Sequence, residues 1–122
     1  MDTYVSIELD GSKDAAEDLR RLEVWLRADQ QLAPLVVRRE RPADESMGVA
    51  YDLLLMLLQE SLQATALTLL RALRNHLRNQ PSDSLSVTLR AGGTEYVLTS
   101  RDTLTRGELE AMAARIRQAL EN

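Results

Sequence analysis

Few side chains in this sequence could carry chemistry, and they are scattered. His76 is the only histidine, and there is no cysteine. A nucleophile–histidine triad needs an imidazole beside a nucleophile, and a zinc site needs several His or Cys donors. His76 instead sits at the edge of an apolar helical stripe, where its spacing predicts packing beside Leu69 and Ala72. Asp14, Glu17 and Asp18 fall within one turn and could in principle hold a cation, but acids in that place are explained by a helix N-terminus. Gly92-Gly93 lacks the spacing and following helix of a phosphate-binding loop, so it reads as a tight turn. Arg71, Arg74 and Arg78 line one side of a helix. Such a strip is either a solvated face or a contact for an acidic partner, since arginine is favoured at interfaces. These patterns predict no catalytic residue, no cofactor and no metal ligand.

The elements that would position these residues belong to a chain of 122 residues with a formal net charge of −4. That length predicts one domain over 1–122 with a core of its own. Absence of cysteine removes a disulfide framework and a thiol nucleophile and fits a cytoplasmic protein. Acids and arginines are intermixed, so the basic footprint of a nucleic-acid binder is missing. The N-terminal residues Met1 to Tyr4 have no basic leader pattern.

Tyr4–Asp10 alternates apolar and polar residues and predicts a half-buried strand stopped by Asp10-Gly11. Asp14 with Glu17 three residues on marks a helix start. Ala15, Leu19, Leu22 and Leu26 then recur at helical spacing to about Ala28, with Val24 on the solvent side. Leu35-Val36-Val37 predicts a short second strand, parallel to the first across a right-handed crossover.

The segment Met47–Leu70 is the most apolar of the chain. Read at about 100° per residue, its Val, Leu and Met residues cover most of a helical circumference, with Asp52 and Gln59 in the narrow polar arc. A helix apolar nearly all round is buried or covered by a partner. One straight helix over Glu45–Asn79 would span about 50 Å, against a radius of gyration of about 14 Å for a compact domain of this size. A break at Ser61 is therefore expected, giving helices over Glu45–Gln59 and Leu62–Asn79. Asp52 and Glu60, with Gln59 and Gln63, argue against a membrane span.

Leu85, Val87 and Leu89 predict a third strand, Ala91-Gly92-Gly93 a hairpin turn, and Thr94–Thr99 a fourth strand with Tyr96 and Leu98 on one face. Thr105-x-x-Glu108 is a capping box ahead of a stripe of Leu109, Met112, Ala113, Ile116 and Leu120. The expected fold is α+β: a small four-stranded mixed sheet in the order β-α-β-α-α-β-β-α, packed with helices.

Several of these features, in their order and spacing, resemble the effector-associated constant component family of bacterial conflict systems. They are the first strand, the helix ending in Trp25-Leu26 with Asp29 just after, and the apolar segment with Gly48. Ala66-Leu67-x-x-Leu70-x-x-Leu73, the strand Leu85–Leu89, the glycine hairpin and the last strand and helix complete the set. Two places depart from that pattern. Gln59-Glu60-Ser61-Leu62-Gln63 stands where the family often has a glycine-rich link, and His76-Leu77 where it often has Trp-Leu.

The resemblance implies a non-enzymatic module that couples a variable effector, such as a peptidase, to a sensing or regulatory partner such as an NTPase. The apolar segment is either sealed inside the domain or partly left as a docking surface, by which the protein could also form homo-oligomers. On the second reading Val49, Leu53 and Met56 would make the protein contact, with Arg71, Arg74 and Arg78 at its rim. The alternative is a membrane-associating effector that uses residues 47–70. A small hydrolase is disfavoured by the missing cysteine, the lone His76 and the absent glycine loop.

Overall fold

A computed structural model describes residues 3–11, 14–40, 51–80, 85–99 and 104–121. β1 (Tyr4–Asp10) is followed by α1 (Ala15–Arg27) and, after a 3-10 turn at Ala33–Leu35 built on Pro34, by β2 (Val36–Glu40). Next come β3 (Tyr51–Met56), a 3-10 turn at Gln59–Ser61, and α2 (Leu62–Arg78). The hairpin of β4 (Ser86–Ala91) and β5 (Thr94–Thr99) and then α3 (Arg106–Glu121) complete the chain.

The strands form one five-stranded sheet in the order β2-β3-β1-β4-β5, and every neighbouring pair is antiparallel. This corrects the expected four-stranded mixed sheet. The missing strand is β3, which occupies the segment expected to be a helix over Glu45–Gln59. The part of that expectation on residues 45–50 lies outside the described residues.

The physical reason is that a short apolar run does not distinguish a strand buried on both sides from a buried helix. Leu and Met favour helix by intrinsic propensity, and tertiary context overrides it. β3 pairs with β1 through Val5↔Leu55 and Ile7↔Leu53, and with β2 through Val36↔Leu55 and Arg38↔Leu53. β1 and β2 do run parallel to each other, as their spacing predicts, but β3 lies between them. Without β5 and α3, this is the split β-α-β arrangement of ferredoxin-like folds.

Side chains alternate across the sheet. Val5, Ile7, Leu53, Leu55, Val87 and Leu89 point to one face, and all are buried. They form one cluster with Leu22 and Leu26 of α1, Leu69, Leu70 and Leu73 of α2, and Leu109, Ala113 and Ile116 of α3. The pairing of β1 with β3 is extended by Thr3, whose carbonyl accepts from the Leu57 amide at 2.7 Å and whose hydroxyl donates to the Leu57 carbonyl at 2.6 Å.

Helix boundaries follow local chemistry. Asp14 Oδ1 accepts from the Glu17 amide at 3.2 Å to open α1, and Thr105 Oγ1 accepts from the Glu108 amide at 3.2 Å to open α3. Ser61 stands at the N-cap of α2 as its position predicts, but its side chain makes no capping bond; it lies 3.3 Å from Thr65 Oγ1. Glu23 ties α1 to the sheet edge: its buried carboxylate accepts from Arg27 at 2.9 Å and from Arg38 of β2 at 2.6 Å.

Gly92 and Gly93 both have positive φ, +54° and +84°, in the two-residue turn between β4 and β5. A Cβ on Gly92 would lie 2.4 Å from the Ala119 carbonyl oxygen of α3, whereas one on Gly93 would meet open space. In urea unfolding, Gly92→Ala is expected to cost about 1–3 kcal/mol and more than Gly93→Ala, which carries only the backbone strain. Leu53→Ala, which opens a cavity in the sealed core, is expected to cost about 2–5 kcal/mol in the same measurement.

Candidate functional site

The lone histidine packs near the acidic start of α1. His76 is buried on the inner side of α2, with its ring 5.6 Å from that of Trp25 and tilted by 53°. Its Nε2 has no hydrogen-bond partner among the described residues. Burial lowers its pKa below the usual histidine value, and the charge of Asp18 opposes that shift without cancelling it. The acids at the start of α1 are engaged locally. The Glu17 carboxylate accepts from Arg20 at 2.6 and 2.8 Å, and Asp18 lies 3.9 Å from Arg21. Among the described residues, no group of three His, Asp or Glu side chains could hold a metal ion.

The residues predicted to make a protein contact do not form one patch. Leu53 is sealed in the core, so it cannot touch a partner. Val49 lies outside the described residues. Met56 is half-buried and packs against the edge of the core. The arginine strip of α2 divides as well. Arg71 and Arg78 are exposed, while Arg74 is half-buried and donates to the Leu104 carbonyl at 3.3 Å.

Among the described residues, two surfaces stand out. The first is the outer face of the sheet, set by register to carry Val37, Arg39, Asp52, Leu54, Met56, Tyr4, Ser6, Glu8, Thr88, Arg90, Glu95 and Val97. Val97 is 53 % exposed. The polar residues here are largely satisfied: Arg39 meets Asp52 at 2.9 Å, Thr88 donates to Asp10 at 3.1 Å, and Arg90 bridges Glu8 and Glu95 across three strands.

The second surface is a groove between the end of α1 and α2, walled by Trp25 and Arg71. Trp25 Nε1 donates to the Ala72 carbonyl at 2.9 Å, which pins the two helices together. The sequence reading named Trp25 only in the Trp25-Leu26 end of the first helix. Its lone indole beside a polar loop was the available signal for this groove.

A family model described as Effector Associated Constant Component 1 matches residues 10–117. The chain belongs to this family. No curated protein and no solved structure matches it. Within the Effector Associated Constant Component 1 fold seen here, Trp25 and Asp29 are the family features that line the groove. Trp25 and Asp29 end α1 and open its following loop, and Ala66, Leu70 and Leu73 are the buried stripe of α2. His76, at the departure from the family's Trp-Leu, fills the space under Trp25.

The buried His76 gives a pH prediction. Its folded-state pKa is lowered, so the unfolded chain takes up a proton first as pH falls below about 6.5. Stability from this group is therefore fully present above that pH and is lost progressively on acidification, until the folded ring titrates too. Unfolding free energy measured between pH 7.5 and 5.5 should fall more steeply in the native chain than in His76→Leu. Parallel profiles would show that the ring is not held neutral.

Proposed function

We propose that this Effector Associated Constant Component 1 domain is a non-enzymatic adaptor in a bacterial conflict system. It couples a variable effector of peptidase type to a sensing or regulatory partner, such as an NTPase, through protein contact. Family membership supports an association with an effector.

The observation that carries the reading is the outer sheet face. A five-stranded sheet has its helices gathered on one core, and the opposite face presents apolar Val37, Met56 and Val97 among satisfied ion pairs. A surface of this kind can be desolvated without stranding a charge. Val97 is the exposed member of this apolar set, with Val37 and Met56 half-buried beside it, and contiguous apolar surface of this kind is where proteins meet partners.

Of the residues expected to make the contact, Met56 belongs to this face, and Arg71, Arg74 and Arg78 belong to α2. Self-association through the same sheet face would produce the homo-oligomer. The alternative of a membrane-associating effector that uses residues 47–70 loses its apolar helix, since residues 51–70 are a strand, a turn and the start of α2, and no described helix is long and apolar enough to cross a membrane.

The test is binding to the proteins encoded beside the gene, measured by calorimetry on purified pairs. Met56→Glu and Val97→Glu should each weaken association with one partner at least tenfold while circular dichroism and the unfolding midpoint stay close to those of the native chain. Val97→Glu guards against the case in which Met56→Glu disturbs the core. Unchanged affinity in both variants, or no association of the native chain with any neighbouring product, counts against the adaptor.

A further inference from the structure

α2 carries no acidic residue from Leu62 to Arg78. Its Arg71, Arg74 and Arg78 make no ion pair among the described residues, although the chain holds more acids than bases. Several arginines elsewhere find carboxylates, since Arg20 and Arg27 on α1, Arg38 and Arg39 on β2, Arg90 on β4 and Arg106 on α3 all lie within 3.2 Å of one, while Arg115 and Arg117 on α3 also make no ion pair among the described residues. Arg78, in the last turn, suits the negative end of the helix dipole. Arg71 sits mid-helix, beyond the reach of that effect.

Arg71 lines the α1–α2 groove, which has a volume of about 640 Å³. Trp25, 38 % exposed, forms its other wall and is held rigid by its bond to Ala72 and its contact with His76. Through Gln31 and Thr68 the groove continues into a second hollow of about 320 Å³, walled by Leu32, Leu35 and Leu58. Asp29 is the acid lining the groove, and its Oδ1 is already occupied, accepting from the Gln31 amide at 2.8 Å. The site therefore joins the Arg71 guanidinium, which has no ion-pair partner among the described residues, to an indole and an apolar hollow, with Arg78 two helical turns further along α2. Anchors of this type dominate binding at protein interfaces, and guanidinium forks match carboxylates.

We propose that the α1–α2 groove docks an acidic peptide segment of a partner protein. Its carboxylates meet Arg71 and Arg78, and one apolar side chain fills the space beside Trp25 or in the Leu32–Leu58 hollow. The proposal rests on the adaptor reading, and it assigns the second partner a surface separate from the outer sheet face.

The test selects twelve-residue random peptides displayed on phage against the purified chain, then titrates the synthesised winner while following Trp25, the sole tryptophan. Enriched peptides should carry Asp or Glu together with an apolar residue, and the winner should shift Trp25 emission. Arg71→Glu combined with Arg78→Glu should weaken it at least tenfold, Arg71→Gln alone at least threefold, and Arg115→Glu on α3 should leave it unchanged.

Selection without acidic enrichment, or a winner that binds the double variant as it binds the native chain, overturns the proposal. So does an emission change that follows protein concentration with no peptide present, which would mark a second copy as the occupant. A response to phosphatidylglycerol vesicles but to no peptide also overturns it. A neighbouring gene product that binds the native chain and the double variant equally removes the groove and leaves the adaptor reading standing.

Discussion

The architecture depends on the burial of β3 between β1 and β2. Its inward leucines, Leu53 and Leu55, and the following Leu57 are almost fully removed from water. Each such burial contributes about 1.5–3 kcal/mol. Extended between β1 and β2, the segment has both edges hydrogen-bonded, so its backbone groups are paired where its side chains are buried. Once β3 is inserted there, β1 and β2 are forced apart. α1 must then cross over β3, and the three helices share the one face whose strand residues are apolar in register.

Much of this was legible in sequence, and the failure is localised. β1, the β4–β5 hairpin, the span of α1 and the capping box of α3 all follow from alternation, helical spacing or turn chemistry within a few residues. α2 was legible too, since Leu62, Ala66, Leu69, Leu70, Leu73 and Leu77 make a single stripe. β3 was not. A half-buried strand announces itself by alternating polarity, but Leu54 and Met56 on its outer face are as apolar as Leu53 and Leu55 on its inner one. Asp52 alone marks the alternation, and a helical wheel absorbs it into a polar arc. In the fold that aspartate faces outward and pairs with Arg39 of β2.

The candidate site was legible to a smaller degree, because contact surfaces depend on which residues the tertiary fold removes. Composition identified Leu53 and Met56 alike as candidates, and only the pleat separates them, one into the core and one to the rim. The arginines of α2 were legible as a row but not as a divided row. Arg74 turns toward Leu104 near the start of α3, and helical spacing alone carries no information about a helix that packs alongside. Trp25 was visible as a residue and invisible as a wall, since its function as one depends on a hydrogen bond to Ala72, forty-seven residues away in sequence.

A single helical layer on a single sheet has a consequence for any role in coupling proteins. Its two outward surfaces are chemically distinct by construction. On the sheet face charges are cancelled across strands, as Arg90 shows between Glu8 and Glu95. The helical side is grooved, and its charge on α2 is left uncancelled. Surfaces with satisfied charges bind by shape and apolar area, whereas uncancelled arginines select by charge and raise association rates. Because the buried leucines of β3 and α2 lie between them, both surfaces are braced by the same core. Occupying one need not deform the other, so two partners of different chemistry can be held at a fixed distance by one domain.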